Sequence, residues 1–329
     1  MKASQTEEYS SCEWIEGGLS FNRRSLHSCL IVHHERGYPK YADYNGGELP
    51  VDELLQAREI IKATHKAGKE HPACQDCPHL EKKKWPQKEY KFDILGIAQY
   101  SHCNIKCSYC FLQTQPRASF ADGFRPYKIA DQLDQLFDNG LLSPTAIIDW
   151  GGGEPTVYQE FDHITSSSLD RGASHYLHSN GVRFPSFLTN HPASPNVHIV
   201  CSIDAGTGAT YAKIKGPDYL NTVWQSLEKY IEAGCTVTLK YIVMENNAST
   251  YEINKFLKRA KKFAGICDLI IDVDYNNAES TPVVIDGLAN LYLGAKKSGI
   301  ACRYGFTGGN FFPESDTLAK LKLAIKDEL

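Results

Sequence analysis

The sequence has no apolar run long enough to cross a membrane, and its polar start, MKASQTEEYSS, lacks the apolar stretch of a secretory signal. A cytoplasmic protein with no membrane partner is therefore expected. It also has no strong excess of one charge: 35 Lys and Arg against 39 Asp and Glu give a net charge of −4. That balance argues against an extended nucleic-acid surface, so nucleic acid is not an expected partner. There is no low-complexity tract, and no internal repeat beyond an alternation of strand-like and helix-like segments. Nor does any cysteine run follow Cys302.

Before that point cysteine is plentiful, with eleven in the chain. A reducing compartment disfavours a disulfide framework, so clustered cysteines there point to metal or redox chemistry. Cys103, Cys107 and Cys110 lie in SHCNIKCSYCFLQTQ, residues 101–115, with no fourth cysteine nearby. A closed single-metal site takes four protein ligands. Three imply a partner elsewhere or a position left open. Cys74 and Cys77 form a CxxC, with Cys12 and Cys29 far upstream. Cys201, Cys235, Cys267 and Cys302 stand alone and read as small buried hydrophobes.

From about residue 90 the chain alternates. Strand candidates are FDILGIAQ (92–99), TAIIDW (145–150), SHYLHS (174–179), VHIVCSID (197–204), CTVTLKYIV (235–243) and CDLIIDVD (267–274). Each is short, rich in β-branched or aromatic residues, and bounded by turn formers. Between them, apolar residues recur at helical spacing: Ile129 to Phe137, Leu220 to Ile231, Ile253 to Ala260, and residues 283–297. Weaker helical patterns cover 159–170 and 184–190. Six strands with intervening helices predict an α/β fold with a parallel sheet, doubly wound or curled into a barrel. Either way, chemistry belongs in the loops just after the strands. Residues 1–90 read as a small cysteine-rich accessory segment with one helix (VDELLQAREIIKATHKAG), residues 91–310 as the α/β domain, and residues 311–329 as a helical tail.

The three-cysteine loop follows the first of these strands, and GGGEPTV (151–157) follows the second. Glycines let a ligand approach the backbone closely, and Glu154 offers a carboxylate. With both motifs in place, the chain resembles the radical S-adenosylmethionine (SAM) enzymes, whose signature is CxxxCxxC after the first strand of a partial (β/α)6 barrel and a GGE-type motif after the second. CNIKCSYC and GGGEP carry that resemblance, which spans roughly residues 90–300.

The resemblance implies a partial (β/α)6 TIM-like barrel with a [4Fe–4S] cluster on Cys103, Cys107 and Cys110, its fourth iron taking the methionine moiety of SAM. Tyr109 would pack near the adenine. Glu154, with the backbone at Gly152 and Gly153, would meet the methionine ammonium. HSNG (178–181) is similar to the family's third-strand turn, which marks Asn180. SIDAGTGATYAKIKG (202–216) is similar to its fourth-strand segment, placing Ser202 and Asp204 near the ribose or methionine and Lys213 or Lys215 near the methionine carboxylate. The implied reaction is reductive cleavage of SAM to a 5′-deoxyadenosyl radical and hydrogen abstraction from a substrate. An external one-electron reductant of flavodoxin or ferredoxin type is the implied partner.

Cys12, Cys29, Cys74 and Cys77 make a complete ligand set by count. An auxiliary iron–sulfur cluster, a structural zinc site and unrelated thiols are the three readings, with His33, His34, His71 and His79 as substitute ligands. The family's better-known auxiliary domains follow the barrel, whereas these cysteines precede it. On the last two strands Lys240, Asp272 and Asp274 offer charge, the two aspartates sharing a face. They are candidate pocket residues for a polar small-molecule or peptide substrate, with Gln99, His102 and His178 at the rim. The expected function is a radical SAM oxidoreductase or modifying enzyme. A radical SAM methyltransferase and a non-catalytic iron–sulfur sensor or electron carrier are the alternatives.

Overall fold

The computed structural model describes residues 8–30, 37–77, 79–110, 112, 126–191, 194–274, 281–305 and 316–325. Twelve strands are found among them: β1 Tyr9–Ser11, β2 Gly18–Phe21, β3 Ser25–His27, β4 Lys40–Asp43, β5 Glu81–Lys83, β6 Phe92–Ile97, β7 Leu142–Trp150, β8 Ser174–Ser179, β9 Val197–Ser202, β10 Thr236–Val243, β11 Asp268–Val273 and β12 Cys302–Tyr304. Strands β6 to β11 coincide with the six expected from the sequence. The fold is α/β with a mostly parallel sheet. No described helix is long and apolar enough to cross a membrane.

The chain divides into two compact units. The first comprises residues 1–102 and 121–176, the second residues 103–120 and 177–329. β8 lies across the division.

In the first unit the strand order is β7-β6-β2-β3-β4. β6 runs parallel to β7 and to β2, whereas β3 is antiparallel to β2 and β4. Strands β2, β3 and β4 thus continue the sheet: Gly18 to Phe21 register against Ile94 to Ile97. β1 and β5 pair separately. Leu19, Phe21, Phe92, Leu95, Ile97, Ile148 and Trp150 are fully buried. The Trp150 indole N–H donates to His175 Nδ1 (3.0 Å), which leaves the imidazole proton on Nε2 for Ser168 Oγ (2.9 Å). Burial accordingly pushes the His175 pKa down to about 3.

In the second unit β9, β10, β11 and β12 are parallel neighbours. Helices Gly208–Lys215, Leu220–Glu232, Thr250–Ala260 and Pro282–Lys297 supply the crossovers. The pleat separates two faces. Ile199, Cys201, Val237, Leu239, Tyr241, Leu269 and Ile271 point one way and are at most 2 % exposed. His198, Ser202, Thr238, Lys240, Asp268, Asp272 and Arg303 alternate with them, and their register partners show that they share the other face. Parallel sheets are ordinarily apolar on both faces. This one carries those polar groups among Val200, Ile242 and Ile270 on its second face.

Of the lone cysteines, Cys201, Cys235 and Cys267 are buried and Cys302 is half-buried. The C-terminal helix covers Asp316–Ala324. His33, His34, residues 113–115 of the cysteine loop's extension, and the remainder of the tail after residue 310 lie outside the described residues.

Candidate active site and a four-cysteine cavity

The loop carrying Cys103, Cys107 and Cys110 is tied to the carboxyl end of helix Gly208–Lys215. Lys106 N donates to Lys215 O (3.0 Å) and Ser108 N to Ile214 O (2.8 Å). Cys110 N closes a turn on Cys107 O (3.1 Å). The Asn180 amide donates to Asn104 Oδ1 (2.7 Å) and meets Cys103 Sγ at 3.7 Å. Its own Oδ1 accepts from Val182 N (3.0 Å), which fixes the side chain after β8. All three thiols are half-buried on a loop bonded at both ends.

Beneath the loop lies a buried ion pair. The Lys215 ammonium and Asp204 carboxylate, 1 % and 0 % exposed, are bonded directly to each other. Tyr109 joins them, its hydroxyl donating to Asp204 Oδ2 (2.5 Å) and accepting from Lys215 Nζ (2.7 Å). Asp204 is held from every side. Its Oδ1 accepts from Ile242 N (2.6 Å), its carbonyl from the Asn247 amide (2.9 Å), and its backbone is left-handed at φ +59°. The next turn is capped by Glu252, which accepts from Gly206 N and Thr207 N. Burial pulls the Lys215 ammonium downward, but the Asp204 carboxylate and Cys107 outweigh it and hold its pKa above the ordinary value. Burial raises Cys107, and the Lys215 charge opposes that rise.

Of the two lysines marked in the sequence, Lys215 is the one sunk in this network. Lys213 is exposed on the same helix. Helical spacing separates them: two residues apart on an α-helix is about 200°, so the pair cannot share a face. Tyr109 Oη is engaged with Asp204 and Lys215.

The GGGEP turn belongs to the first unit. It runs alongside the segment after β6: Gly151 N donates to Ile97 O (3.0 Å), Gly153 N to Tyr100 O (3.2 Å), and Glu154 N to His102 O (2.9 Å). Two glycines are obligatory here. Gly152 has φ +84°, and a Cβ on Gly153 would lie 2.2 Å from the His102 carbonyl oxygen. Glu154 is 2 % exposed, and its Oε1 accepts from Thr156 N (3.3 Å) and Thr156 Oγ1 (2.8 Å), capping the 3-10 turn Pro155–Val157. The carboxylate and backbone cradle have the chemistry to receive an ammonium group. The three-thiolate loop has the chemistry to hold an iron–sulfur cluster with one iron left over.

Among the pocket candidates, Lys240 pairs in register with Ser202, and Asp272 with Ile242, two residues on from Lys240 on the same face. Burial lowers the Lys240 pKa, with the Asp272 charge opposing. Asp272 also accepts from Val273 N (2.9 Å), and Asp274 follows half-buried. His198 bonds to Thr238 Oγ1 (2.8 Å) on this face. His178 is half-buried and His102 exposed. Gln99, by contrast, is fully buried, its amide donating to Tyr158 Oη (2.9 Å) and Tyr127 O (3.3 Å). It serves the core of the first unit. Asn247 and Glu252 carry more of the site's architecture than sequence motifs indicate. Only their positions, four residues after β10 and in the first turn of helix Thr250–Ala260, give a signal.

Four further cysteines come together in the first unit. Cys12, Cys29, Cys74 and Cys77 line one cavity, about 400 Å³ including space open to solvent, together with Ile15, Tyr38, Ala73 and Leu80. Cys74 and Cys77 are the ends of a type II turn, with Cys77 N donating to Cys74 O (3.1 Å), Gln75 at φ −57°, ψ 133° and Asp76 at φ +53°. Burial pushes the Cys12 thiol up to about 11 and Cys74 up to about 12, and neighbouring thiols of the set add to both. Among the described residues, no three His, Cys, Asp or Glu side chains are grouped so as to hold a metal ion.

The chain is similar to several known proteins. The family profile described as "Radical SAM superfamily" matches residues 99–257, a span that includes the cysteine loop, the GGGEP turn, Asn180, Asp204 and Lys215. GTP 3′,8-cyclase of Nautilia profundicola is 25 % identical over 259 residues, 70 % of this chain and 76 % of the cyclase. The mycofactocin maturase MftC of Mycobacterium tuberculosis is 23 % identical over 164 residues, 49 % of this chain and 40 % of MftC. Among solved structures, Streptococcus suis SuiB bound to its precursor peptide SuiA superimposes with a TM-score of 0.50 at 16 % identity, covering 81 % of this chain and 57 % of SuiB. That likeness is one of fold. The chain thus spans less than two thirds of MftC and of SuiB. Residues 99–257, which hold the three-thiol loop and the glycine–glutamate turn, thus match the radical SAM superfamily.

Proposed function

We propose that this chain is a radical SAM enzyme acting on a polar substrate, with Cys103, Cys107 and Cys110 as ligands of its [4Fe–4S] cluster. When bound, cluster and SAM together supply a 5′-deoxyadenosyl radical that takes a hydrogen atom from the substrate. The observation that carries this reading is the loop itself. Three half-buried thiols are held on a segment bonded to helix Gly208–Lys215 and to Asn180, so ligand positions are set by the fold rather than gathered by the metal.

The residues divide the work. Glu154, with the backbone of Gly152 and Gly153, receives the methionine ammonium as an anionic, acceptor-rich turn. Lys215, Asp204 and Tyr109 position the cysteine loop from below, and the Lys215 charge offsets the thiolate charge gathered at Cys107. Ser202 stands at the end of β9, two residues before Asp204, on the polar face. Lys240 and Asp272 on that face give a polar substrate both signs of charge to bind. The cyclase and the maturase named above act on unlike substrates by their names, so the polar face rather than kinship carries the substrate class. An external one-electron carrier supplies the reducing equivalent.

The test is direct. Anaerobically reduced protein given SAM forms 5′-deoxyadenosine, and Cys107→Ala abolishes it. Wild-type protein that binds the cluster yet makes no 5′-deoxyadenosine, with amino-acid, peptide, sugar and nucleotide substrates offered, would overturn the reading. Deuterium transferred from a candidate substrate into 5′-deoxyadenosine identifies the substrate.

A further inference from the structure

We infer that Cys12, Cys29, Cys74 and Cys77 ligate a second, polynuclear iron–sulfur centre in the first unit, one with every iron held by protein. These cysteines come from three separate stretches of chain: the residue before helix Glu13–Gly17, the segment after β3, and the CQDC turn. All four nevertheless converge on the border of a single cavity, among mainly apolar neighbours. Chance thiols scattered by packing alone would be expected at unrelated positions in the core, as Cys201, Cys235 and Cys267 are.

The ligand set narrows the choice. Four thiolates can close round one zinc ion at about 2.3 Å from each sulfur. Here they line the wall of one cavity, with His79 also on it. A cubane with four thiolate ligands fills space between its ligands. The CQDC turn supplies two ligands on one side: a type II turn brings its first and fourth residues together, and Asp76 accepts the left-handed conformation which that turn demands.

Ligand count then fixes the role. The loop at Cys103 provides three thiols for four irons and so leaves one iron for a small molecule. The cavity provides four, so no iron is left for substrate, and the centre stores and relays one electron. It takes that electron from a reduced one-electron carrier protein outside the chain, leaving the carrier oxidised, and hands the same electron to an oxidised one-electron acceptor. Cys12, Cys29 and Cys77 are half-buried, and only Cys74 is buried, so the centre lies close enough to the surface for such exchange.

The four-cysteine centre stands apart from the fate of the barrel cluster, and one experiment separates them. Wild-type protein reconstituted anaerobically with iron and sulfide should hold about eight irons and eight sulfides per chain. The Cys103→Ala/Cys107→Ala/Cys110→Ala chain should keep about four of each. After dithionite reduction it should show an electron paramagnetic resonance signal that SAM does not alter. Cys12→Ala/Cys77→Ala should also fall to about four irons, and its reduced signal should be the one that SAM perturbs. About four irons in the wild type, with one zinc ion or no metal in the triple variant, would overturn the inference while leaving the SAM reading intact. A wild type whose entire signal is SAM-insensitive would instead sink that reading and keep the four-cysteine centre. Should a variant fail to fold, the wild-type iron and sulfide count decides alone.

Discussion

Asp204 and Lys215 offer the sharpest quantitative test, because both are wholly buried and each is the other's counter-charge. Remove one, and the survivor is a buried charge without compensation, a loss of about 3–5 kcal/mol. Lys215→Met keeps an unbranched chain of similar length and strands the Asp204 carboxylate. Asp204→Asn strands the ammonium, while asparagine still tolerates the left-handed backbone and can still accept from Ile242 N. If the pair were two unrelated sites, the double variant would lose the sum, about 6–10 kcal/mol. With no charge left to strand, the double variant should instead lose no more than the worse single, a coupling of about 3 kcal/mol or more. Urea titration of the metal-free chains, followed by circular dichroism, measures all four corners of the cycle. Additivity to within about 0.5 kcal/mol would refute the reasoning, since it would mean that water reaches the pair.

Gly153→Ala should leave the chain folded but distort the turn, because its Cβ meets the backbone carbonyl of His102 rather than a movable side chain. SAM binding by equilibrium dialysis should then be lost. Glu154→Gln keeps the cap on Thr156 but removes the charge, and should weaken SAM binding by about 10- to 100-fold, the worth of one charged hydrogen bond. His175 is neutral in the folded chain with a pKa of about 3, against about 6.5 unfolded. The unfolded state therefore binds the extra proton between those values, and stability must fall as pH drops through that window. His175→Gln should flatten that part of the stability profile, measured by urea midpoints from pH 7 to pH 4.

Much of the second unit is legible in the sequence alone. The stretches SHYLHS and VHIVCSID fall on β8 and β9 because alternation and β-branching are local properties of the chain. The same holds for the helices after Leu220 and Thr250. The three short strands β2, β3 and β4 are not legible. They are three or four residues long, too short for a period to register, and only their pairing with β6 and with one another gives them strand character. At the site, the family resemblance marks Asp204 and Tyr109, but which lysine joins them is set by helix phase and burial. Gln99 shows the reverse. A polar residue at a strand end reads as a rim group until its partners, Tyr158 and the Tyr127 carbonyl, are seen to enclose it. The four upstream cysteines can be counted in sequence, but their convergence is a tertiary fact.

The loop that bears Cys107 is pinned by Lys215, a residue 108 positions later in the chain. At about 5–20 residues per second, a ribosome needs about 5–20 s to travel that distance. Until Asn180 and then helix Gly208–Lys215 have emerged, the three thiols lack the contacts that hold their loop, and oxygen or a stray metal can reach them first. The late arrival of helix Gly208–Lys215 therefore sets a window in the protein's birth during which the newborn chain is most easily spoiled, and in which slower translation or oxygen stress should lower the yield of cluster-competent protein.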